Sequence, residues 1–134
     1  MKLTSIALLL SAVSAIHIKE IPANLVEIKS GDKKDATCER GMLATVAYTG
    51  RLKSNGTVFD KKEAFQFNLD QAQVIECWDE GFKQVPVGGT ATLHCPAEMA
   101  YGNVMKRNIP ENSDLEFDVE LIACGKDPLD GMAL

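Results

Sequence analysis

The residues of this sequence that most readily suggest a reactive site are an adjoining histidine and cysteine, His94 and Cys95. A cysteine beside an imidazole is the pairing that activates a thiol for nucleophilic attack. The pair ends an alternating stretch, residues 90–95, that is typical of a β-strand, and neighbouring side chains of a strand point to opposite faces. We therefore exclude a catalytic dyad and expect Cys95 to face the core together with Ala91 and Leu93.

A second group of residues that could form a functional site is aromatic. These side chains fall at positions that we expect to face inward: Tyr48, Phe59, Phe65, Phe67, Trp78 and Phe117. Each of them alone is ordinary core material, whereas together they also fit an apolar pocket with a few polar groups at its rim. The residues by themselves leave both interpretations open.

A short helix is the element that must position the only tryptophan. Asp70 is a candidate N-cap, Gly81 is a natural end, and Pro86 prevents continuation, so we expect two to three turns over residues 73–81. One face of this helix is indicated by the spacing of four apolar residues, Val74, Ile75, Trp78 and Phe82.

Strands surround the predicted helix. The clearest, residues 115–121, alternates four apolar residues with three acids, which is typical of an antiparallel strand with one solvated face. We expect a short polar loop at 61–64 and a long irregular segment at 97–108. The pattern predicts an α+β domain with one short helix and a mainly antiparallel sheet of five or six strands, at 24–29, 43–52, 57–60, 65–69, 90–95 and 115–121.

The amino terminus has the pattern of a secretory signal peptide. Lys2 precedes an apolar run over residues 6–13, and the following residues fit a cleavage site after Ala15. We therefore predict a signal peptide over residues 1–15, with a buried core strand as the alternative. The apolar run is too short to span a bilayer as a stable anchor, and nothing else in the sequence is apolar for long enough to do so.

The remaining chain, residues 16–134, has the length of one domain, with its core at about 25–123 and a short tail at 125–134. The whole sequence has a formal net charge of −5 and no basic stripe, which argues against nucleic acid as a partner. Its last residues are not a KDEL-type retrieval signal. We expect a monomer of the secretory pathway, either secreted or in the lumen of the endoplasmic reticulum.

If the protein is exported, its four cysteines are expected to form disulfides; they are Cys38, Cys77, Cys95 and Cys124. An even number of cysteines in an oxidising compartment indicates two disulfides, and the sequence alone leaves three pairings open. No CxxC motif occurs, so we expect no metal site. Residues 55–57 form a glycosylation sequon at a predicted hairpin tip, with Asn55 as its acceptor.

Several separated motifs resemble the FKBP-type peptidyl-prolyl cis-trans isomerases in order and spacing. The resemblance extends from about Leu25 to Ala123, and the chain is similar to the secreted, single-domain members. The motifs that carry it are Val46-Ala47-Tyr48-Thr49-Gly50-Arg51-Leu52, Phe59-Asp60, Gln73-Val74-Ile75 with Trp78-Asp79-Glu80-Gly81, Val87-Gly88-Gly89, Ala100-Tyr101-Gly102, Ile109-Pro110 and Leu115-Glu116-Phe117-Asp118-Val119-Glu120-Leu121.

The resemblance implies a curved antiparallel sheet wrapped around the helix, with a proline-binding pocket between them. It implies Trp78 as the pocket floor, Asp60 and Tyr101 as the polar rim, Ile75 as a backbone N–H donor and Ile109 on an overhanging loop. The walls would be Tyr48, Phe59, Phe65, Val74, Ile75 and Phe117. No cofactor or metal is implied, because bond rotation requires neither.

Departures from the family pattern carry further implications. Cys77 and Cys95 stand where the family commonly has Gly and an aliphatic residue, so we predict that they pair, which leaves Cys38 to pair with Cys124. Residues 103–108 are polar and basic where many members have apolar or aromatic residues.

The function implied is prolyl isomerisation in folding exported proteins, with proline-containing peptides as substrates and macrolide immunosuppressants as potential ligands. One alternative is a peptide- or protein-binding module of the secretory pathway with low activity. Another is a structural domain whose aromatic residues only fill its core.

Overall fold

The computed structural model describes residues 20–32 and 34–128. The predicted signal peptide at 1–15, the start of the mature chain at 16–19 and the last residues at 129–134 lie outside this range. Within the described residues, no helix has both the length and the apolar character needed to span a membrane.

Within residues 20–32 and 34–128, five strands form one antiparallel sheet that is accompanied by one short α-helix, which confirms the predicted α+β class. The strand order across the sheet is β1-β4-β5-β2-β3, so that the strands at 26–30 and 58–68 form its edges. In chain order the elements are β1 (Val26–Ser30), β2 (Leu43–Leu52), β3 (Val58–Asn68), α1 (Glu76–Phe82), β4 (Thr90–Cys95) and β5 (Leu115–Gly125). A short 3₁₀ turn, Ala97–Met99, lies between β4 and β5.

β5 shows how the alternation of its residues produces two different sheet faces. Over residues 115–121 its apolar residues are buried, whereas the acids between them lie on the outer face. Arg51 of β2 contacts both Glu116 and Asp118 there, and Asp118 also accepts a hydrogen bond from Thr92 of β4 at 2.8 Å. β5 continues four residues beyond the predicted end at Leu121, because it remains paired with β2 as far as Gly125.

The predicted polar loop at 61–64 is wrong, because β3 runs through it without interruption. The ladder between β2 and β3 pairs Val46 with Phe65 and Tyr48 with Lys62, so β3 carries one extra residue at that point. Such a bulge keeps polar, exposed residues within an edge strand, where one side of the backbone has no neighbour to satisfy.

The helix begins later than predicted, at Glu76, and Asp70 is not its N-cap. Ile75 occupies the N-cap position in an extended conformation and makes no side-chain capping bond. Asp70 instead has a left-handed backbone with φ of 61°, and its N–H binds the Asp79 carboxylate. Val74 and Ile75 therefore precede the helix rather than lying on its face.

The orientation of the His94–Cys95 pair agrees with the exclusion of a dyad. The His94 imidazole lies 3.1 Å from a carboxylate oxygen of Glu27, while Cys95 is buried in a disulfide on the other face. Neither group is available to the other.

The hairpin between β2 and β3 has the predicted turn. Gly56 adopts a φ of 75°, and the Asn55 side chain accepts a hydrogen bond from the Thr57 N–H at 2.9 Å. Asn55 is exposed at this tip.

Two disulfides join the predicted cysteine pairs. Cys77 of α1 is bonded to Cys95 of β4, and Cys38 of the connector before β2 is bonded to Cys124 of β5. The Cα atoms are 5.6 Å apart in each pair, which is a usual separation for a disulfide. The first disulfide clamps the helix to the sheet, and the second ties the connector to the end of the last strand.

We predict that removing either disulfide by paired Cys→Ala substitution destabilises the fold. The chain-entropy contribution is about 3 kcal/mol for the pair separated by 18 residues and about 4.5 kcal/mol for the pair separated by 86. Loss of Cys77–Cys95 adds a cavity cost because both side chains are fully buried. Urea unfolding measures these losses, and a variant that unfolds at the wild-type urea midpoint would contradict the assignment.

Candidate functional site

A cavity of about 190 Å³ opens between the helix and the inner face of the sheet. Most of its lining is aromatic or aliphatic, and four residues contribute polar groups. The residues that line it are Tyr48, Phe59, Asp60, Phe65, Gln73, Val74, Ile75, Trp78, Tyr101 and Phe117. All of the predicted pocket residues except Ile109 are therefore brought together around one space.

The Trp78 indole is fixed by neighbouring rings. Its side chain is buried, and its ring meets Tyr48 edge-on at a centroid distance of 4.7 Å and Phe117 at 5.3 Å. Behind it, Phe67 and Phe82 pack at 5.7 and 5.3 Å. Edge-to-face packing of this kind stabilises the arrangement beyond the burial of apolar area, so the indole is a rigid surface.

The cavity wall on the sheet side depends on a glycine. A Cβ at Gly50 would lie 2.7 Å from carbons of both Phe59 and Phe117, and these two rings are 5.6 Å apart. Gly50 therefore gives both rings the space that they occupy. Sequence reasoning gave this residue no role, although a glycine inside a strand is a signal of close approach.

The polar rim centres on Asp60. Its carboxylate accepts a hydrogen bond from the Tyr48 hydroxyl at 2.5 Å and another from the Lys61 N–H at 2.8 Å. Burial raises the pKa of Tyr48, and the bond to Asp60 raises it further. Burial, followed by the Asp60 charge, also raises the pKa of Tyr101. Both hydroxyls therefore remain protonated at neutral pH and can act as donors.

A buried carboxylate shapes the segment that leads into the helix. Asp79 accepts hydrogen bonds from the N–H groups of Asp70 at 2.9 Å and Ala72 at 3.3 Å, and both of these residues have left-handed backbones. Such conformations are unfavourable for residues other than glycine, so the two bonds help to hold them. Burial raises the pKa of Asp79, while the two backbone donors act in the opposite direction.

Gln73 is a cavity residue that sequence reasoning placed only within the helix. Its side-chain oxygen accepts a hydrogen bond from the Asn68 N–H at 2.8 Å, which links the segment before the helix to the end of β3. The same segment carries Val74 and Ile75 to the cavity wall. No signal in the sequence distinguished this role, because it depends on where the helix begins.

Ile109 lies outside the wall of this cavity. It is buried, and it lines an adjoining space of about 510 Å³ that also borders Phe59, Asp60 and Tyr101. The two cavities therefore meet along the rim.

A sequence model described as FKBP-type peptidyl-prolyl cis-trans isomerase matches residues 33–122. FK506-binding protein 4 of Mycosarcoma maydis is 37% identical over 114 residues, which are 83% of this chain and 30% of that protein. FK506-binding protein 2 of Kluyveromyces lactis is 30% identical and covers 95% of both chains. The chain thus spans less than a third of the first relative and nearly all of the second.

A solved structure of the three FKBP domains of wheat FKBP73 has a similar fold. The TM-score is 0.70 at 33% sequence identity, over 76% of this chain and 46% of that one.

We predict that Gly50→Ala destabilises the protein by roughly 1–3 kcal/mol, because the added methyl group displaces Phe59 or Phe117. Gly125→Ala is the matched control, since a Cβ there meets nothing within 4 Å. Urea unfolding of both variants tests the difference. Equal stability of the two variants would show that Gly50 does not set the positions of these rings.

Proposed function

The chain belongs to the family of FKBP-type peptidyl-prolyl cis-trans isomerases, and from this we propose that it accelerates rotation about X-Pro bonds held in the aromatic cavity. The observation that carries the proposal is the cavity itself, with its rigid indole floor, aromatic walls and hydroxyl rim. Its volume suits a small apolar ring such as that of proline.

The chemical obstacle is resonance in the peptide bond. Rotation has a barrier of about 18–20 kcal/mol because the planar amide has partial double-bond character. The twisted transition state has lost resonance and has less charge separation than the planar amide. A dry aromatic cavity disfavours the polar planar form relative to the twisted one, and a thousandfold acceleration requires only about 4 kcal/mol.

Two donors at the cavity support this role. Within the described residues, neither the backbone N–H of Ile75 nor the hydroxyl of Tyr101 makes a hydrogen bond. Both residues line the cavity, so each donor is free to bind a carbonyl oxygen of a peptide. Donors fixed for the twisted form lower its energy selectively.

Asp60 has a positioning and electrostatic role in this proposal. Bond rotation transfers no proton, and the carboxylate is already engaged by Tyr48 and the Lys61 N–H. It thereby orients the Tyr48 ring, which packs directly against Trp78.

The two disulfides favour the secretory pathway as the place of action, because disulfides persist in oxidising compartments. We therefore place the substrates among exported proteins, with the protein either secreted or in the endoplasmic reticulum lumen. The exposed Asn55 at the hairpin tip is the proposed glycan site on this route.

Macrolide immunosuppressants are proposed as ligands of the same cavity. The matched relatives are named FK506-binding proteins, and the floor and walls of the cavity here are aromatic. The adjoining space has Lys106, Arg107 and Asn108 in its lining, so it offers little apolar contact to a large ligand.

A second candidate function is peptide binding with little catalysis. It is favoured by the adjoining space, whose lining includes Lys106, Arg107 and Asn108. Such a surface adds contacts to a bound chain without touching the rotating bond.

The test is a protease-free isomerase assay on an X-Pro peptide, with and without a macrolide. The wild-type protein should accelerate exchange. Phe59→Ala should lose about tenfold or more through lost apolar contact, and Tyr101→Phe roughly 2- to 10-fold through one lost hydrogen bond. Val58→Ala is the matched control, because this neighbour on β3 is exposed and does not line the cavity.

The isomerase proposal would be overturned if the folded wild-type protein did not accelerate cis-trans exchange in any X-Pro peptide. If that protein still bound the peptide, with affinity lost in Phe59→Ala, the second candidate function would replace it. If Val58→Ala lost as much activity as Phe59→Ala, the loss would come from disturbance of β3 and not from a changed cavity.

A further inference from the structure

The space of about 510 Å³ beside the aromatic cavity includes Lys106 and Arg107 in its lining, and we call it the basic space. It shares Phe59, Asp60 and Tyr101 with the aromatic cavity, and the rest of its lining comes from residues 106–109. A peptide whose proline occupies the first cavity would therefore extend a neighbouring residue into the second.

The basic residues of this space are held on a tight turn. Lys106 and Ile109 exchange backbone hydrogen bonds of 3.1 and 2.9 Å, and Asn108 adopts the left-handed conformation that closes the turn, with φ of 65°. Ile109 is buried and anchors the turn to the core. Lys106 and Arg107 therefore project from a supported backbone, which lowers the entropy lost when they meet a ligand.

Neither cation has an acidic partner within residues 20–32 and 34–128. Lys106 places its ammonium group 5.6 Å from the centre of the Tyr101 ring, and neither it nor Arg107 forms an ion pair in this part of the chain. Arg51 and Lys83, by comparison, each contact two carboxylates. Two unpaired cations beside one cavity stand out in a chain whose net charge is −5.

Among the residues that the structure describes, Asp60 is the only acid in the lining of the space, and its charge is partly satisfied. Its oxygens accept hydrogen bonds from the Tyr48 hydroxyl and the Lys61 N–H. With one carboxylate against Lys106 and Arg107, the space has a net positive charge. It therefore favours an anionic group over a neutral or cationic one.

We propose that Lys106 and Arg107 select peptides in which a residue next to the proline carries a carboxylate. This inference rests on the proposed function, because it assumes that proline occupies the adjoining aromatic cavity. The two cations act as specificity-determining residues, since they contact the flanking side chain and not the rotating bond.

The test compares peptides that differ only by Glu or Gln, placed before the proline in one series and after it in the other. Both kcat/KM for exchange and the affinity of each peptide, followed by Trp78 fluorescence, are measured. Two solvent-exposed ion pairs predict a preference for Glu of roughly 3- to 10-fold in the series whose flanking residue enters the basic space. At about 1 M salt, where the Debye length is about 3 Å, the preference should fall towards unity.

The decisive variant is Lys106→Gln with Arg107→Gln, which should abolish the Glu preference. The matched control is Lys34→Gln with Lys126→Gln, which removes the same total charge at exposed positions outside both cavities. The control should keep the wild-type ratio of Glu to Gln rates, because its cations lie outside the basic space.

Equal values for Glu and Gln peptides in both series, in rate and in affinity, would overturn the inference. So would a Glu preference that survives in the Lys106/Arg107 variant, or one that falls equally in the control. If cis-trans exchange is accelerated in no peptide, the isomerase proposal fails separately. The ratio of the affinities for the Glu and Gln peptides then decides alone whether the basic space selects acidic peptides.

Discussion

The packing of the Trp78 indole against the inner face of the sheet is the contact on which the site depends. A helix of 7 residues is too short to be stable alone in water, so its position is set by what it packs against. Tyr48 and Phe117 of the central strands meet the indole at 4.7 and 5.3 Å. The same contact that stabilises the helix therefore creates the rigid floor of the cavity.

Three further devices preserve that geometry. The Cys77–Cys95 disulfide fixes the helix to β4, and the Asp79 carboxylate holds the segment that carries Ile75. The absence of a side chain at Gly50 leaves room for two wall aromatics. Each device restricts backbone or ring freedom before a ligand arrives, which is how a preorganised site avoids an ordering cost on binding.

The features that the sequence predicted best are the strands whose limits follow from the alternation of apolar and polar residues. β2 and β4 have the predicted limits, because every second residue faces a continuous core. The sequence predicted less well what depends on tertiary contacts. The bulge that keeps residues 61–64 within β3 needs the ladder to β2, and the helix start at Glu76 needs Asp79 to bind Asp70. The disulfide pairing came from the family resemblance, since four cysteines alone leave it open.

The most direct test of the central claim uses the single tryptophan. The side-chain indole N–H resonance of Trp78 is followed by NMR during titration with a short X-Pro peptide. If the aromatic cavity binds proline, this resonance and the backbone amide of Ile75 should shift together and saturate with the same dissociation constant. An unchanged Trp78 resonance, with peptide-induced shifts confined to the outer face of the sheet, would contradict the account.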